Sequence, residues 1–151
     1  MTAAFAAMVS GCGPAQASTR DLTPPFWGSL RAPVVNMRAG PGEDYAIRFV
    51  YRRQHLPVRV LRVWDAWVLV EDPDGSRGWM LRRFVSSEHT VMVKTRAAVA
   101  MHAEADNNSA LLWKLEPGLV GKLVGCDAGW CHIDIDRHVG YVRMEALYGA
   151  Q

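Results

Sequence analysis

Val35-Asn36-Met37-Arg38-Ala39 returns 64 positions later as Val99-Ala100-Met101-His102-Ala103. The likeness extends outward from that pair. At the same offset, Ala46-Ile47 matches Ala110-Leu111 and Phe49 matches Trp113. A slip of one residue then aligns Val60-Leu61 with Leu123-Val124 and Trp67 with Trp130, and a second slip aligns Gly78-Trp79 with Gly140-Tyr141. Both slips fall in turn-like stretches, where chains tolerate insertions. The chain therefore reads as two copies of a unit of about 60 residues rather than one domain.

Each copy reads as β. In the first, Val58, Val60, Val63, Val68 and Val70 stand in short runs broken by Asp65-Ala66 and by Asp72-Pro73-Asp74-Gly75. In the second, Cys131-His132-Ile133-Asp134-Ile135-Asp136 alternates strictly, the pattern of a half-buried strand. No stretch offers a long amphipathic helix. Short strands with frequent turns in so few residues give an all-β class, two small and strongly bent barrels in tandem. Composition agrees: of 151 residues, 50% are hydrophobic and 21% charged, which is globular. A net charge of +2, from 17 basic and 15 acidic residues, argues against a strongly basic nucleic-acid binder. The absence of any run of about 18 apolar residues excludes a multi-span membrane protein.

Val35-Asn36-Met37-Arg38-Ala39-Gly40-Pro41-Gly42, Val58-Arg59-Val60-Leu61, Trp67-Val68-Leu69-Val70 and Gly75-Ser76-Arg77-Gly78-Trp79-Met80 together resemble the bacterial Src-homology-3 domain. That family's pattern is an N-x-R-x-G-P opening, a turn, a V-x-V-L strand, a tryptophan strand and a closing G-W-V. The resemblance is strong over residues 34–86 and weaker over 98–148, where Ala103-Glu104-Ala105 replaces the opening Gly-Pro. It implies barrels of about five antiparallel strands. It also implies export and a non-catalytic targeting or binding role, the ligand in several members being cell-wall peptide. On this reading residues 34–88 form the first barrel and 92–150 the second.

Residues 1–18 carry no charged side chain, and Ala3 to Val9 is apolar, as in the later part of a secretory signal. Residues 1–17 are thus expected to be a leader directing the chain to the periplasm or cell envelope. Two processing routes stay open. Ala15-Gln16-Ala17 fits cleavage by signal peptidase, whereas Val9-Ser10-Gly11-Cys12 resembles a lipobox that would make Cys12 a lipid anchor. The missing basic n-region is what a start codon placed too far downstream would produce. Residues 18–33, with Pro24, Pro25 and Pro33, read as a linker.

By the repeat, Cys126 takes the place of Val63 and Cys131 that of Val68. Those valines flank Trp64-Asp65-Ala66-Trp67, a connection suited to a hairpin. Cross-strand neighbours lie roughly 4.5–5.5 Å apart at Cβ, and a small relaxation reaches the ~3.8 Å of a disulfide. In an oxidising compartment Cys126 and Cys131 are expected to be bonded. Two reduced thiols used as small apolar residues are the alternative. A zinc site with His132 and His138 is disfavoured, because on a strand His132 faces away from Cys131. No metal and no cofactor are expected.

If Val68 and Val70 face the core, Trp67 and Leu69 face outward, as do Trp130 and His132. Trp67 with Tyr45 and Trp64 then floors a shallow peptide groove, with Arg38 and Arg59 supplying charge. The competing reading packs these rings on the barrel rim or between copies. Residues 31–88 hold ten arginines against seven acids, and residues 89–151 six basic residues against seven acids. The first copy is thus the basic one, suited to carboxylates or an acidic partner. Five scattered histidines and no nucleophile, phosphate-loop or zinc-protease motif argue against an enzyme. The expected function is an exported, non-catalytic module binding a cell-wall or envelope-protein peptide. The alternative is a structural or assembly subunit of an envelope complex.

Overall fold

The structure, a computed structural model, describes residues 22–151. The expected leader, its cleavage after Ala17 and the lipidation of Cys12 lie outside the described residues.

Two antiparallel sheets of seven strands each make up the fold. The first contains β1 (Phe26–Leu30), β2 (Val35–Arg38), β3 (Ile47–Tyr51), β4 (Pro57–Trp64), β5 (Trp67–Glu71), β6 (Arg77–Leu81) and β7 (Val85–Ser86), in the order β3-β2-β6-β5-β4-β1-β7. The second contains β8 (Thr90–Val93), β9 (Val99–His102), β10 (Leu111–Leu115), β11 (Val120–Asp127), β12 (Trp130–Ile135), β13 (His138–Arg143) and β14 (Leu147–Tyr148). Its order, β10-β9-β13-β12-β11-β8-β14, is that of the first with seven added to every label. In each barrel a 3-10 turn, Arg82–Phe84 or Met144–Ala146, leads into the last short strand.

Three expectations are corrected. The segment 18–33 is not simply a linker, because β1 lies within it and pairs with both β4 and β7. Its prolines bracket the strand instead of breaking it: Pro24-Pro25 precede Phe26, Pro33 follows Leu30, and Gly28, Ser29 and Leu30 are buried. The barrels also have seven strands rather than about five, since an opening strand and a strand of two residues were not legible as periodic runs. β8 likewise opens the second barrel at Thr90, ahead of residue 92.

The cores follow the alternation. Met37, Val58, Val60, Val68, Val70 and Met80 fill the first. Met101, Cys131, Ile133, Val142 and Leu147 fill the second. Equivalence extends to single atoms. A Cβ added at Gly78 would stand 2.4 Å from Met37 Cγ and 2.9 Å from the Arg38 carbonyl oxygen; one at Gly140 would stand 2.5 Å from Met101 Cγ and 2.9 Å from that of His102. The loop that lacks Gly-Pro closes as its counterpart does, with Ala103 N–H donating to Ala110 O and Ala39 N–H to Ala46 O, both at 2.9 Å. There the Ser109 hydroxyl, bonded to the backbone of Glu104 and Asp106, does the bracing.

Cys126 and Cys131 face one another at the end of the β11–β12 hairpin, 4.0 Å apart at Cα, and are disulfide-bonded. The closed loop is short, so replacing both cysteines by serine is expected to cost about 2 kcal/mol, read as a lower urea midpoint.

The two barrels touch through a tied junction. The Trp27 ring stacks on His89 at 6.2 Å and meets the edge of Tyr148 at 5.0 Å, and its indole N–H donates to Gln151 O at 2.6 Å. Thr90 Oγ1 donates to His55 O at 2.8 Å, and Tyr148 donates its hydroxyl to Glu71 O at 3.2 Å. Arg53 reaches Gly118 O and Lys94 reaches Pro73 O across the same seam.

Candidate functional site

Cross-strand register arranges the outer face of the first barrel in rows. One row runs Trp64–Trp67–Leu81, the next Arg62–Leu69–Trp79–Arg38, and a third Trp27–Arg59–Glu71–Arg77. A bulge between Val60 and Arg62 sets this phase, because the extra residue Leu61 lets both Arg59 and Arg62 face outward.

The five residues singled out from sequence separate in space. Trp67 and Arg38 line one small depression of about 160 Å³, together with Asn36, Glu43, Leu81 and Phe84. Trp67 points away from the valine core as expected, yet it is only 9% exposed, whereas Trp64, directly across from it, is 57% exposed. The Arg38 guanidinium donates to the carbonyls of Glu43 and Tyr45, both at 2.9 Å, and so holds the β2–β3 loop. The half-exposed Tyr45 ring lies over Gly40, where a Cβ would come within 2.4 Å of it. Arg59 is elsewhere: its guanidinium sits 6.0 Å from the Trp27 ring, at the barrel junction. Arg62, over the Trp64 ring at 5.7 Å, is the cation that stands beside the exposed tryptophan. Sequence alternation missed it because the bulge is invisible without the partner strand.

The Asp72-Pro73-Asp74-Gly75 segment is a turn, as read. Asp72 Oδ1 accepts the N–H groups of Asp74 and Ser76 at 2.9 and 2.8 Å, and its Oδ2 accepts the Tyr51 hydroxyl at 2.6 Å. Burial first, and then this carboxylate, push the Tyr51 hydroxyl well above the usual tyrosine range; burial and Glu71 do the same to Tyr148. Both hydroxyls therefore stay protonated in the fold while those of the unfolded chain ionise near pH 10. Stability is expected to be unaffected by these groups below that pH and to fall as pH rises through it. Urea titrations of wild type and Tyr51→Phe at rising pH check this: the variant should show the shallower loss.

The bacterial SH3 domain family matches the chain twice, over residues 31–87 and 95–149. The chain belongs to that family. No curated protein sequence matches it. Among solved structures it is similar to NlpC2 from Trichomonas vaginalis, at 12% identity and a TM-score of 0.38, covering 82% of this chain and 48% of that one. It is also similar to NlpC1 from the same organism, at 11% identity and a TM-score of 0.38, covering 87% and 48%. The chain thus spans about half the length of each.

In this tandem SH3 chain the cores are alike and the outer faces differ. The row Trp64–Trp67–Leu81 becomes Asp127–Trp130–Arg143, and Arg62–Leu69–Trp79–Arg38 becomes Gly125–His132–Tyr141–His102. Trp130 is 7% exposed, with the Arg143 guanidinium 4.5 Å from its ring and His102 at its edge, 5.6 Å away. His132 stacks on Tyr141 at 4.7 Å. Among the described residues no group of three or more His, Cys, Asp or Glu is placed to hold a metal ion.

Proposed function

We propose that the chain is an exported, non-catalytic binding module that holds a cell-wall or envelope-protein peptide on the outer face of its first SH3 domain. The observation that carries this reading is Trp64, exposed across from the sheltered Trp67 and beside a depression bearing Asn36, Arg38 and Glu43. Aromatic faces give large contact area at little entropic cost, and the neighbouring polar groups suit a peptide backbone. The arginine excess of residues 31–88 complements carboxylates. Export is consistent with the Cys126–Cys131 bond, of a kind that persists in oxidising compartments. Arg59, engaged at the junction, is left out of the ligand surface and Arg62 takes its place.

Retention on purified cell wall tests the proposal. Wild type should be retained and Trp64→Ala bound about tenfold more weakly, the scale of a lost aromatic anchor. Equal retention of the two, or none of the wild type, would defeat it.

A second reading, an assembly subunit, is favoured by the outermost strands β3 and β10. Phe49, Ile47 and Val50 on one, and Leu111, Leu112 and Trp113 on the other, are each about half exposed. Open apolar edges invite further strand pairing. Light scattering decides: a stable oligomer supports assembly, and a monomer leaves the binding module.

A further inference from the structure

We propose that the second SH3 domain carries a ligand site of its own, a groove that takes a primary ammonium group on an alkyl stem, as in a lysine-type side chain of a peptide. The groove, of about 550 Å³, is lined by Trp130, His132 and Tyr141 of β12 and β13 and by Gly125, Cys126 and Asp127 of β11. The first domain has no such opening to a cation, because Arg62 and Trp64 occupy the equivalent places and lie against each other. In the second domain Gly125 leaves the space empty: an added Cβ would meet nothing within 4 Å.

Charge selects the occupant. Asp127 is exposed and stands directly across from Trp130, and its carboxylate has no hydrogen-bond or ion-pair partner among the described residues. It is the one carboxylate in the lining, so the groove attracts cations and repels carboxylates. Arg143 already rests on the Trp130 ring, but from β13, the strand on the side away from Asp127. The Asp127 flank is therefore the one left to an incoming cation, which gains the carboxylate there. The stacked pair His132 and Tyr141 offers the wall along which an alkyl stem lies while its charged head reaches the rim. This site is independent of the first-domain reading, and each stands if the other fails.

The test is an amide NMR titration of the full chain with acetyl-Ala-Lys-Ala-amide, with its norleucine counterpart and with butylamine. The lysine peptide should shift the amides of Asp127, Trp130 and His132, and the norleucine peptide should not. Asp127→Asn should weaken lysine-peptide binding about threefold, the loss of one exposed charge contact. Gly125→Arg, which restores the first-domain residue in open space, should abolish it. Both positions are exposed, and the remaining spectrum reports an intact fold. Tighter binding of the peptide than of butylamine places the ammonium on a peptide, and equal binding makes the stem itself the recognised unit; either supports the site. Norleucine binding as tightly as lysine, undiminished binding by Asp127→Asn, or no shift of groove amides would overturn it.

Discussion

Gly78→Ala and Gly140→Ala are each expected to destabilise their barrel by about 1–3 kcal/mol, the usual cost of overpacking a filled core. Displacing a thioether alone would be cheap, because methionine is flexible. Here the added methyl also meets a carbonyl oxygen of the neighbouring strand at 2.9 Å, in both barrels. The loss should thus fall toward the upper end of that range. A double-mutant cycle with Met37→Ala or Met101→Ala separates the two causes. Removing the methionine stem makes room, so each pair should cost less than the sum of its single changes. Urea unfolding checks this, and strict additivity in either barrel would mean that the methionine is not what closes the space.

Trp67→Ala is expected to cost about 3–5 kcal/mol, because deleting a buried tryptophan leaves a cavity the surroundings only partly fill. Trp64→Ala should change stability by no more than about 0.5 kcal/mol, as surface substitutions do. Only 9% of Trp67 remains exposed, against 57% of Trp64. A binding defect in the Trp67 variant would therefore mix lost contact with lost fold, whereas one in the Trp64 variant reports contact. Thermal unfolding of the two proteins side by side gives the comparison, and similar midpoints would contradict the burial of Trp67.

The repeat and the two cores were legible because a strand buried on one face must alternate, and the valines and paired methionines do so. The disulfide was legible for the same reason, since two positions equivalent to facing valines must themselves face. Four features were not. β1 is hidden by prolines that turn out to frame it. The phase of β4 changes at Leu61, and only the register against β5 reveals that Arg62 lies beside the exposed tryptophan. Alternation also gives the direction in which Trp67 leaves the sheet and not what lies above it. The Trp27 junction depends on Gln151, at the other end of the chain, a contact no local pattern contains.

The most direct measurement of the binding account is an amide NMR map of the full chain titrated with a soluble cell-wall peptide bearing free carboxylates. Shifts centred on Asn36, Arg38, Arg62, Trp64 and Trp67, and lost in Trp64→Ala, are what the account predicts. Shifts confined to the barrel junction around Trp27 and Tyr148, or shifts that Trp64→Ala leaves unchanged, would contradict it.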